Sequence, residues 1–148
     1  MEMNIRIATN TDLEFLMAND RHISPNRLEN KIRDGLIYIA CDESCPVSWL
    51  RFGYIWDIVP MMNLLYVLEA NRGKGIGSKI VKKWESDMFH SGADFVLTST
   101  QADENAQHFY RKLGYQDCGA IFVPKQVPTE IFLKKMNPIT ERSQTTDN

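Results

Sequence analysis

At 148 residues the chain has the length of one domain, and its 43% apolar residues suffice for a core without metal or disulfide staples. Seventeen basic against nineteen acidic side chains leave a net charge of -2, which excludes the broad basic surface of a dedicated nucleic-acid binder. The cysteines, Cys41, Cys45 and Cys118, are odd in number, and the first two have no nearby His or second Cys pair. Reduced thiols, a cytoplasmic setting and no metal are therefore expected. No basic-then-apolar segment opens the sequence and no apolar run approaches the ~20 residues of a bilayer span, so neither a signal peptide nor a membrane is expected.

Ile5 and Ile7 alternate with polar neighbours as a short strand, and Thr9, Asn10, Thr11 and Asp12 offer capping side chains to a helix with Leu13, Leu16 and Met17 on one face. Ser24 before Pro25 starts a second helix, polar except for Leu28 and Ile32, which ends at Gly35. The period then changes: residues 36–40 and 47–54 predict two antiparallel strands joined by a turn over 42–46. Residues 57–60 break the pattern before 61–67, a nearly continuous apolar run that predicts a central strand covered on both faces. Ile76, Ile80, Val81, Trp84 and Met88 define one face of a long helix, with Lys79, Lys82, Lys83 and Glu85 opposite. Residues 95–99 predict a strand, a short helix lies near Ala106, and 118–123 and 129–135 predict two more strands with Pro124 and Pro128 confined to their connection. Residues 137–148 are polar and expected to be a disordered tail, leaving 1–136 as one domain.

Between the central strand and the long helix lies Arg72-Gly73-Lys74-Gly75-Ile76-Gly77. Alternating glycines let a bulky anion approach the backbone, and the helix that follows offers amide hydrogens without intrahelical acceptors, at the positive end of its dipole. The spacing excludes the nucleoside-triphosphate loop, because Gly75 rather than Ser or Thr follows Lys74. It fits the dinucleotide fingerprint poorly, since Gly73, Gly75 and Gly77 give G-x-G-x-G. Arg72, Gly75 and Gly77 satisfy Q/R-x-x-G-x-G/A, and downstream Ala106-Gln107-His108-Phe109-Tyr110-Arg111-Lys112-Leu113-Gly114-Tyr115 follows A-x-x-(F/L)-Y-x-K-L-G-(F/Y). With both motifs, in this order, the chain resembles the GNAT (Gcn5-related N-acetyltransferase) superfamily.

The resemblance implies an α+β fold with a mixed central sheet of about six to seven strands, about four helices, and a bulge or splay at the acetyl-coenzyme A site. It implies that the backbone at Val67 and Leu68 pairs with the pantetheine arm and that the amides of Arg72, Gly73, Lys74, Gly75, Ile76, Gly77 and Ser78 hold the pyrophosphate of the donor, acetyl-coenzyme A. Lys79 reads equally as solvated surface. Tyr110 matches the family's general acid toward the coenzyme A thiolate; the alternative is a buried aromatic with its hydroxyl satisfied elsewhere. The family's pantetheine-contacting asparagine falls at Asp103 here, so Asn105 is the substitute candidate, and His108 reads as exposed. The central strand holds no Asp, Glu or His, which leaves Glu69, Asp57 and the strand-start Glu130 as candidates for the base.

The expected function is direct transfer of acetyl from acetyl-coenzyme A to a primary amine of a small molecule, with neither nucleic acid nor membrane as partner and a homodimer left open. Protein amino-terminal or lysine acetylation is the first alternative, and a non-catalytic coenzyme A-binding module is the second.

Overall fold

Period-two apolar patterning sets the strands, and left-handed turn residues set where they stop. The computed structural model describes residues 3–140. Its strands are β1 (Met3–Ile7), β2 (Ile37–Asp42), β3 (Cys45–Ile55), β4 (Val59–Val67), β5 (Phe95–Gln101), β6 (Gln116–Ile121) and β7 (Glu130–Met136). Its α-helices are α1 (Leu13–Asn19), α2 (Pro25–Arg33), α3 (Ile76–His90) and α4 (Ala106–Lys112). The strands form one mixed sheet in the order β1-β2-β3-β4-β5-β7-β6, as the fold class anticipated. β4 and β5 run parallel, in register at Met61↔Leu97 and Met62↔Thr98, whereas β7 pairs antiparallel with both β5 and β6. Register shifts occur at Ala40/Cys41 and at Asp117/Gly119.

The chain divides into two compact units, Met1–Gly53 with Leu64–Trp84, and Tyr54–Asn63 with Glu85–Asn148. In the first, Ser24 caps α2 by accepting from the Arg27 amide, and Gly35 turns the chain beyond α2 at φ +70°. Leu28 and Ile32, the apolar stripe of α2, bury against Leu16, Ile37, Ile39 and Trp49. Phe15 meets the Trp49 ring edge-on at 5.7 Å. Met17, expected on the inner face of α1, is 49% exposed: with only seven residues, α1 buries little beyond Leu16.

Inside this unit Asp20, at the end of α1, accepts from Arg51 Nε at 2.6 Å, from Arg51 Nη2 at 3.3 Å and from Trp49 Nε1 at 3.1 Å. Both charged side chains are buried, so each meets its electrostatic need in the other.

The second unit contains the C-terminal part of α3. Glu85, expected on the polar face of that helix, is instead buried, where it accepts from Tyr115 Oη at 2.7 Å and Lys135 Nζ at 2.9 Å. Periodicity alone assigned it to solvent; β7 and the residue just before β6 bring it partners. Asn137 is buried as well, its amide donating to the carbonyls of Phe89 and Ala93, so packed chain extends one residue into the segment expected to be a tail. Residues 141–148 of that segment lie outside the described residues.

Removing one member of the Asp20–Arg51 pair leaves a buried charge without a partner. Asp20→Ala is expected to lower the unfolding free energy by about 3–5 kcal/mol in urea titrations. The double variant Asp20→Ala/Arg51→Met is expected to recover more than half of that loss, and an additive result would show that the pair is not coupled.

Candidate active site

In the first unit, β4 ends at Val67, a short 3-10 turn covers Glu69–Asn71, and the glycine loop leads into α3. Gly73 and Gly75 adopt φ +76° and +77°, while a Cβ at either position would meet nothing within 4 Å. Backbone conformation, not space, therefore demands glycine at these two positions. Lys79 is the first residue of α3 to find a backbone acceptor for its amide, on Gly75 O at 3.2 Å, and the amides of 73–78 make no backbone hydrogen bond. Loop and helix start thus present a run of donors of the kind an anionic oxygen satisfies. These residues fit a phosphate-bearing ligand.

The Arg72 side chain turns away from this run. Its Nε donates to Val67 O at 3.0 Å and its guanidinium lies over the Tyr66 ring at 5.2 Å. The Leu68 amide is already committed to Val47 O at 2.9 Å, so β4 is anchored to β3 at this end. Lys74 and Lys79 are exposed, and so is Glu69, at the start of the 3-10 turn.

The expected cover on both faces of β4 is incomplete. Pro60 and Met62 are buried, but Leu64 is only half-buried and Tyr66 is 39% exposed. The reason is a cleft of about 310 Å³, lined by Leu64, Tyr66, Leu68, Trp49, Asp20 and His22 among others. His22 was not singled out by sequence. It sits in the turn between α1 and α2, its amide donating to Asp20 Oδ1 at 3.2 Å, and Asp20 is itself held by Trp49 and Arg51 of β3.

In the second unit, α4 buries Tyr110, whose hydroxyl donates to Met62 Sδ at 3.4 Å. Phe109 and Tyr115 pack edge-on against its ring at 5.2 and 5.6 Å. Burial pushes the Tyr110 hydroxyl up to about 12, the Thr98 hydroxyl opposing and Glu104 adding to the shift. Tyr110 keeps its proton at neutral pH, as a tyrosine at the ordinary value of 10 also does. Tyr115 is raised as well, by burial and by the carboxylate of Glu85. Thr100, two residues beyond Thr98 on the same face of β5, has a buried hydroxyl without a hydrogen-bond partner.

The remaining candidates are less engaged. Asn105 is exposed at the start of α4 and makes no capping hydrogen bond with its side chain; Asp103 and His108 are exposed. Asp57 stands at φ +60° in the turn before β4, at the opposite end of that strand from Val67. Glu130 accepts from Gln126 Nε2 at 2.9 Å.

The first unit thus offers a donor run at a helix start, and the second a buried tyrosine hydroxyl on a short helix. A family model described as Acetyltransferase (GNAT) family matches residues 6–115, and the chain belongs to that family. It is a GNAT N-acetyltransferase, an acyltransferase of a family that uses acetyl-coenzyme A. No curated protein matches the sequence.

Among solved structures the fold is similar to a GNAT-family acetyltransferase from Bacillus cereus, with TM-score 0.76, 19% identity, and 93% of this chain and 99% of that one covered. It is similar to a ribosomal-protein-alanine N-acetyltransferase from Brucella melitensis, with TM-score 0.73, 21% identity, and 90% and 99% covered. It is also similar to a chain of the NatC complex bound to Gag peptide and CoA, with TM-score 0.75, 16% identity, and 92% and 99% covered. At these identities the likeness is one of fold. Among the described residues no helix is long and apolar enough to cross a membrane.

The raised Tyr110 predicts a pH effect. A free tyrosine ionises near 10, so between about pH 10 and about pH 12 the unfolded chain loses this proton while the folded chain keeps it. Stability is expected to fall with rising pH across that window, and Tyr110→Phe to flatten the fall, leaving the share that Tyr115 contributes. Urea midpoints of both proteins at several pH values between 9 and 11.5, read against this window, check it; equal slopes would show that Tyr110 ionises as freely folded as unfolded.

Proposed function

We propose that this enzyme transfers acetyl from acetyl-coenzyme A directly to a primary amine of a small molecule, within one domain spanning 1–136. The observation that carries the donor assignment is the unpaired amide run of 73–78, with Gly73 and Gly75 in left-handed conformations that only glycine adopts cheaply. In this reading the amides of Gly73 to Ser78 hold the pyrophosphate. The Arg72 side chain holds the turn by its bond to Val67, leaving the second lone pair of that carbonyl for a pantetheine amide. Asn105 is kept as a lesser donor contact.

Bound acetyl-coenzyme A supplies an activated acyl group, whose transfer to nitrogen leaves a thiolate in need of a proton. Tyr110, un-ionised at neutral pH, carries that proton at its hydroxyl. The acceptor enters the cleft beside Leu64, Tyr66 and Leu68, whose volume of about 310 Å³ matches a small amine or a single residue better than an extended peptide. The proton lost by the amine leaves through water toward Glu69, which borders this end of β4. Asp57, at the other end of the strand, is the less suited of the two carboxylates.

Two measurements test the assignments. Tyr110→Phe is expected to lower turnover about 10²-fold at saturating substrates, while acetyl-coenzyme A affinity changes less than threefold, roughly. Unchanged turnover removes the acid role. Gly75→Ala is expected to weaken coenzyme A binding about tenfold in calorimetry, because a side chain at φ +77° costs on the order of 1–2 kcal/mol and shifts the donor run. Undiminished affinity would move the pyrophosphate elsewhere.

A further inference from the structure

Beside the first cleft lies a larger one of about 780 Å³ in the same unit, lined among others by His22, Arg27, Asn30, Lys31, Asp34 and Arg51. Arg27 and Lys31 stand one helical turn apart on α2 and so share a face, and Arg51 reaches the cleft from β3. Arg51 donates to Asp20 through Nε and Nη2. Lys31 donates to the Phe52 carbonyl and is held below the usual lysine range, first by burial and then by the charge of Arg51, with Asp34 opposing. Two cations thus repel each other across one cleft of a chain whose net charge is -2. Asp20 pairs with Arg51, and the lining otherwise carries Arg27 and Lys31 against Asp34.

An anion between Lys31 and Arg51 would replace that repulsion with charge-assisted hydrogen bonds. The two clefts adjoin. His22 lines both, and each is lined by one member of the ion pair, Asp20 in the smaller cleft and Arg51 in the larger. We propose that the larger cleft is an anion subsite for the acceptor, so that the acceptor is a primary amine carrying a carboxylate or phosphate group. The amine occupies the smaller cleft and the anion the larger, an assignment that rests on the acetyl-transfer reading above.

The test is a homologous series of straight-chain primary amines ending in a carboxylate, a phosphate monoester or a neutral carboxamide. Binding to the full-length protein is measured by calorimetry without acetyl-coenzyme A, and coenzyme A release is measured separately with it. For at least one chain length the charged member is expected to bind about tenfold or more tightly than its carboxamide. In Arg27→Gln and Lys31→Gln that ratio is expected to fall toward one. Because both ligands are compared on one preparation, the ratio does not depend on the fraction of protein folded. The stronger of the carboxylate and phosphate arms identifies the anion. Carboxamides that bind as tightly at every length, or a preference that survives in both variants, overturn the subsite. A charge preference without thiol release for any amine would instead overturn the acceptor reading and leave the subsite standing.

Discussion

Asp20 and Arg51 are two opposite charges taken out of water within one unit, and the surroundings of β4 in that unit follow from holding them together. A buried carboxylate is tolerable only when its lone pairs are filled, and here Arg51, Trp49 and the His22 amide fill them. That arrangement fixes the end of α1, the turn into α2 and one face of β3 at a single point. The same pair lines both clefts, Asp20 the smaller and Arg51 the larger.

The glycine loop shows a different economy. Its backbone adopts left-handed conformations at Gly73 and Gly75 and leaves a run of amides unspent, which costs stability in a protein that gains nothing from it. Neighbouring bonds secure the loop ends, Arg72 to Val67 before it and Lys79 to Gly75 after it. The donors therefore stay ordered before any ligand arrives, which is the condition for binding an anion without further entropic cost.

In the second unit the polar groups are arranged for the opposite purpose. Glu85 is saturated by Tyr115 and Lys135, and the Tyr115 ring braces that of Tyr110. Tyr110 donates to a thioether, a weak acceptor that a better one can displace. A rigid, un-ionised hydroxyl with an easily replaced partner is suited to proton donation.

Strand and helix positions were legible in the sequence because local periodicity and turn chemistry decide them: Ser24-Pro25 began α2, and Ile76, Ile80, Val81, Trp84 and Met88 lie buried as their spacing required. Order and spacing of the two motifs were enough to identify the family, since glycine at a left-handed turn is demanded by the backbone alone. What periodicity could not give was the environment of a polar residue. Glu85 went to the interior and Asp20 to a cleft wall because their partners, Tyr115 and Lys135 for the one and Trp49 and Arg51 for the other, are far away in sequence. The glycine loop is a local backbone motif and so is written in sequence; the two clefts of the first unit are lined by side chains that meet only when the chain folds.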